Sequence, residues 1–152
     1  MKEKELKPII ADWLQNKNYY CIYELLLGGY CDVVACKWNE RVGRKVPKLI
    51  DVIAVELKLN DVSGVIRQAV SNKYYVNESY AAMPKSRINK MREGTLNKFK
   101  QAGVGLLSVG DGVEEVVKPE INLFESFDKY LVKRVWSRKL RDVRRAKINV
   151  KT

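Results

Sequence analysis

The chain has 152 residues, 46% of them apolar, the size of one domain with a buried core. Its 29 basic and 18 acidic residues leave a net charge of +11, which points to a polyanionic partner, nucleic acid ahead of a membrane surface. Histidine is absent, which excludes histidine general bases, Ser-His-Asp triads and imidazole zinc sites, so hydrolytic chemistry would run on carboxylates, lysine and a hard cation.

Leu6, Ile9, Ile10, Trp13 and Leu14 recur at helical spacing and predict an amphipathic helix over 3–17, with Pro8 suited to its first turn. Tyr19–Leu27 reads as a strand, Gly28-Gly29 as a turn, and Tyr30–Trp38 as a second strand with Asp32 near its start. Asn39–Lys48 is a polar loop bent at Gly43. Leu49–Asn60 is the central strand, apolar and β-branched until Glu56 and Lys58 interrupt it. Residues two apart on a strand share a face, so this carboxylate and ammonium project together from an oily element. A divalent metal, a nucleic-acid phosphate or a plain ion pair would each satisfy them.

Asp61 is the expected cap of a helix over 62–77, with Val62, Val65, Ile66, Ala69 and Val70 inward and Gln68, Asn72 and Tyr75 on another face. Ser79–Met83 is a short strand closed by Pro84, and Ser86 would cap a helix running to Ala102, ended by Gly103. Val104–Val109 and Val113–Val117 are strands around a Gly110–Gly112 turn. A final helix or two span Asn122–Lys147, and from Lys129 to the end of the chain ten residues are basic and one, Asp142, is acidic. The order α-β-β-β-α-β-α-β-β-α predicts an α/β class with a mixed central sheet, a core over 1–120 and a basic helical extension over 121–152. Cys21, Cys31 and Cys36 form no Cys-x-x-Cys pair and read as small core residues. No apolar run approaches the roughly 18 residues of a membrane span, and no apolar signal region follows the first residues. The expectation is a cytoplasmic, DNA-associated protein without membrane contact.

If Tyr30–Trp38 and Leu49–Asn60 are neighbours, Asp32 stands close to Glu56 and Lys58 at one end of the sheet. Two carboxylates and a main-chain carbonyl such as that of Leu57 suit Mg²⁺, with Mn²⁺ as the alternative cation. The rival acid Asp51 lies five residues from Glu56, which on a regular strand turns it to the opposite face.

Asp32, then Glu56-Leu57-Lys58, then Gln68 resembles the Asp…(Glu/Asp)-x-Lys…Gln signature of the PD-(D/E)xK nuclease superfamily. That group includes restriction enzymes, Holliday junction resolvases and phage or mobile-element nucleases. The resemblance covers about residues 3–118 and implies a restriction-endonuclease-like αβββαβ core flanked by helices. It implies a Mg²⁺-dependent DNA endonuclease, structure-selective or of phage or restriction type, acting as a homodimer where both strands are cut. Asp32 and Glu56 match the metal-binding acids, Lys58 the catalytic lysine, and Gln68 a polar residue of the following helix that supports the site. Glu5 matches a first-helix glutamate that joins the metal in some members. Cys31 stands where proline often precedes the first acid. Candidate DNA contacts are Arg41, Arg44, Lys45 and Lys48 in the loop between the acid-bearing strands, Arg87 and Lys90, and Arg138 and Arg141 in the basic extension. The competing readings are a non-catalytic DNA-binding protein on the same scaffold, and a scaffold whose basic tail recruits an acidic partner.

Overall fold

The computed structural model describes residues 2–39 and 48–151. Six strands form one mixed sheet in the spatial order β1-β2-β3-β4-β5-β6: β1 (Tyr20–Leu26), β2 (Tyr30–Trp38), β3 (Leu49–Leu57), β4 (Glu78–Pro84), β5 (Gly105–Val109) and β6 (Val113–Val117). The first three are antiparallel, β3–β4 and β4–β5 are parallel, and β5–β6 is antiparallel. Short turns suffice for the antiparallel pairs, whereas each parallel pair needs a helical crossover. These are α2 (Val62–Asn72), and then α3 (Lys85–Ile88) with α4 (Glu93–Ala102).

Helix α1 (Glu3–Gln15) covers one face of the sheet. Its Leu6, Ile10 and Leu14 are completely buried against Val33, Ala35, Ile53, Val55 and Leu57. Each such side chain contributes roughly 1.5–3 kcal/mol. Pro8 falls in the second turn rather than the first, on the exposed side, where its ring displaces no core contact. The opposite face carries α2 and α4 over β4 and β5, and α5 (Lys129–Lys151) over β1 and β2. Strand alternation supplies both layers. Val34, Cys36, Val52 and Ala54 point to the α5 side, and their neighbours in sequence point to α1.

Three boundaries differ from the sequence reading. The helix expected over 62–77 stops at Asn72, because Asn77 leaves to exchange hydrogen bonds with Val52: its N–H donates to the Val52 carbonyl (2.9 Å) and its Oδ1 accepts the Val52 N–H (2.8 Å). The helix expected from Ser86 to Ala102 is two pieces, and Ser86 caps neither. Pro84 precedes the single turn of α3, and an extended Arg92 (φ −83°, ψ 160°) starts α4, with the weak helix formers Asn89 and Gly94 flanking the break. Gly103 ends α4 at φ +71°, a left-handed conformation suited to glycine.

The last helix begins at Lys129, not Asn122. Asp128 caps it, its Oδ1 accepting the N–H groups of Tyr130 (2.9 Å) and Leu131 (3.1 Å). Residues 118–128 instead run without helix or strand, tied down by Asn122 to Asn77 and to the Lys73 carbonyl. Leu131 and Val135 are completely buried against the sheet, so the first half of α5 belongs to the core rather than to an appendage. From Leu140 to Ala146 every residue is exposed. No helix of the described residues is long and apolar enough to cross a membrane.

Candidate active site

The register Val33↔Val55 and Val34↔Ala54 makes Asp32 and Glu56 the next opposed pair of β2 and β3. Opposed residues of antiparallel strands share a face, with their Cβ atoms about 5 Å apart. At this point Asp32 uses its side chain to take a backbone donor of β3: Oδ2 accepts the Leu57 N–H at 2.8 Å. Glu56 turns inward and is 4% exposed. Its Oε1 accepts a hydrogen bond from Asn72 Nδ2 at 2.9 Å, and the same amide lies 3.6 Å from Cys31 Sγ.

Burial pushes the Glu56 carboxyl up, the Asn72 amide pulls it back, and the hydrogen-bonding Asp32 carboxyl raises it again, to about 7. Two carboxyls this close resist double ionisation unless a cation joins them. Neither acid has an ion-pair partner among the described residues. That includes Lys58, which is half-buried, follows β3 directly and donates its N–H to the Ala82 carbonyl at 3.2 Å. The plain Glu56–Lys58 ion pair is therefore not formed.

The rim of this site comes from β1 and α1. Glu24 lies opposite Asp32 in the β1–β2 register and has φ +52°, rare for a residue with a Cβ. Its carboxylate pairs with Lys7 of α1, and its carbonyl accepts Arg138 Nη2 at 3.0 Å. The Glu24 hydrogen bond raises the Lys7 pKa, burial lowers it, and the charges of Glu24 and then Asp32 raise it further, which puts this ammonium within electrostatic reach of the site. Beyond the rim, the β1–β2 turn is pressed onto α2. A Cβ on Gly28 would stand 3.2 Å from Ser71 Oγ and 3.4 Å from the Tyr75 ring.

Several predicted residues lie elsewhere. Glu5 is exposed, and among the described residues no three His, Cys, Asp or Glu side chains are placed to hold a metal ion together, so Glu5 does not complete such a group with the two acids. Gln68 is exposed and hydrogen-bonds neither acid; the helix residue that does is Asn72, one turn later. Arg138 donates to the β1 carbonyls of Tyr23 (2.9 Å) and Glu24, so its guanidinium is engaged within the fold. Arg141 is exposed on α5. Lys48 is exposed but precedes β3, so about 26 Å of strand separates it from Glu56. Arg87 and Lys90 line a concavity beside the site. Arg41, Gly43, Arg44 and Lys45 lie outside the described residues. Asp51 faces the α1 side, where its Oδ2 accepts the Tyr19 hydroxyl.

Asn72, Lys7 and Cys31 are the site neighbours that sequence reasoning missed. For Asn72 a signal existed: Val65, Ala69 and Asn72 keep one helical phase and all three are buried. A polar residue in phase with an apolar stripe has to find a buried partner.

No family model, curated protein or solved structure matches the chain.

Proposed function

We propose that the chain is a divalent-metal-dependent DNA endonuclease built on a restriction-endonuclease-like core. The observation that carries the reading is the pair Asp32 and Glu56, opposed across β2 and β3 with no cation paired to either among the described residues, in a chain of net charge +11. The order α1-β1-β2-β3-α2-β4, with an antiparallel meander leading into a parallel crossover, is the αβββαβ arrangement that the resemblance implies.

The donors fit a hard cation such as Mg²⁺ or Mn²⁺. Asp32, Glu56 and the Leu57 carbonyl would hold it, since an extended residue directs its N–H and C=O to the same strand edge and the Leu57 N–H already faces Asp32. When bound, the cation supplies an acidified water and offsets phosphate charge. The protein's own groups do the rest. Asn72 fixes the rotation of the Glu56 carboxylate through Oε1. Asp32 is locked by the Leu57 N–H. Lys58, uncommitted to either acid, meets the charge that develops on the phosphoryl oxygens.

The test is nicking of plasmid and of branched DNA with and without Mg²⁺. Asp32→Ala, Glu56→Ala and Lys58→Ala should each lower cleavage by about 100-fold or more. Cleavage by the acid variants at the parent rate rejects the site.

A second reading is a DNA-binding protein that keeps the scaffold without cutting. The near-complete burial of Glu56 favours it, because a closed pair of acids can share a proton and need no metal. Calorimetry separates the two: the enzyme takes up Mg²⁺, and the binding protein does not.

A further inference from the structure

Directly beyond Lys58, at the carboxyl ends of β3 and β4, the surface falls into a concavity of about 200 Å³. Leu59, Asn60, Pro84, Ser86, Arg87 and Lys90 line it. Among the described residues the lining holds two cations and no acid. Arg87 is half-buried, Lys90 is exposed, and neither forms an ion pair among the described residues. Two like charges sharing one depression repel each other, and the half-buried position of Arg87 weakens screening by water. An anion seated between them reverses the sign of that interaction.

The neutral groups suit the same occupant. The Ser86 hydroxyl and the Asn60 amide are hydrogen-bond donors. Leu59 and Pro84 give the concavity an apolar wall. Arg87 offers a planar fork that matches two phosphate oxygens, and Lys90 adds a point charge. The place is fixed by the sheet. Leu57 pairs with Ala82 in the β3–β4 register, so Pro84 and Leu59 each lie two residues past that pair, at the same edge as Glu56.

We propose that this concavity is a second phosphate subsite, which seats a non-scissile phosphate of the strand bound at Asp32 and Glu56. The path of that strand rests on the nuclease reading; the binding of phosphate here does not. A contact of this kind sets the register of the strand without reading its bases. The phosphate is either an internal diester or a terminal 5′-monoester, and the chemistry of the lining accepts both.

The experiment measures binding by the full chain of a labelled DNA oligonucleotide, 5′-phosphorylated or 5′-hydroxyl, without divalent metal and across a salt series. The variant is Arg87→Gln with Lys90→Gln, its fold checked by thermal melting. The charge-matched control is Lys98→Gln with Lys100→Gln, two exposed lysines of α4. The expected result is a roughly tenfold loss of affinity, with the salt slope reduced by about one, in the first variant alone. A loss equal for both oligonucleotides assigns an internal phosphate, and a loss confined to the phosphorylated one assigns a terminal phosphate. Parent-like affinity and slope in the first variant overturn the subsite, as does an equal loss in the control. Plasmid cutting is scored separately. A chain that never cuts but loses affinity in the first variant alone keeps the subsite and fails the nuclease reading; the reverse pattern keeps the nuclease and discards the subsite.

Discussion

Glu56 is held in an environment that favours its proton. Its pKa in the folded chain is about 7, against 4.5 for the free side chain. A proton thus binds the folded state more tightly than the unfolded one. The stability this contributes is fully present below pH 4.5 and is lost as pH rises through about 7. Between pH 5 and 8 the metal-free protein should lose on the order of 2 kcal/mol, and Glu56→Gln should remove that slope and be the more stable form at pH 8. Urea unfolding at the two pH values checks it; equal slopes in parent and variant reject the assignment. At this scale much of the site was readable in advance. Asp32 and Glu56 announce themselves because charges that end apolar strands need a partner, and the β2–β3 register does oppose them. Spacing along the motif selects Gln68, whereas phase around the helix selects Asn72. The phase, set by Val65 and Ala69, decides which amide is buried.

Helix α5 does something for the sheet that its composition does not reveal. Strand β1 is an edge, and an edge offers unpaired carbonyls to any passing strand. Arg134 donates to the Leu26 carbonyl at 2.8 Å, and Arg138 to those of Tyr23 and Glu24. Two of the basic residues are therefore part of the fold. Arg134→Ala with Arg138→Ala should cost roughly 1–3 kcal/mol and promote concentration-dependent self-association, read by melting and by size-exclusion chromatography. A monomer of unchanged stability counts against this role. Charge density alone suggested phosphate contacts for the whole segment, and the guanidinium partners were invisible because they are backbone atoms more than 100 residues away in sequence. The break at Arg92 and the capping of α5 by Asp128 are hidden in the sequence for a related reason. Both depend on what the neighbouring chain does rather than on the apolar stripe.

Taken whole, the molecule has one sheet face under α1, a second under three helices, and an exposed stretch of α5, 140–146, in which Asp142 accepts the Tyr20 hydroxyl. Arg141, Arg144 and Arg145 are all exposed there, along with the apolar Leu140 and Val143. In the proposed complex these arginines contact DNA backbone at a distance from the acids. Replacing all three with alanine should lower the dependence of affinity on salt by up to about three in logarithmic slope, and leave Mg²⁺ binding unchanged. An unaltered slope places the DNA elsewhere. The joint between this helix and the sheet is built from rings. Trp136 lies 5.3 Å from Trp38, which meets Tyr20 edge-on, and the Lys139 ammonium sits 3.5 Å above Trp38. Two of the chain's three tryptophans thus occupy one seam, with a cation as their lid. Because these rings pack one helix onto one strand, their ultraviolet emission reports locally on whether that contact persists, with no dye attached.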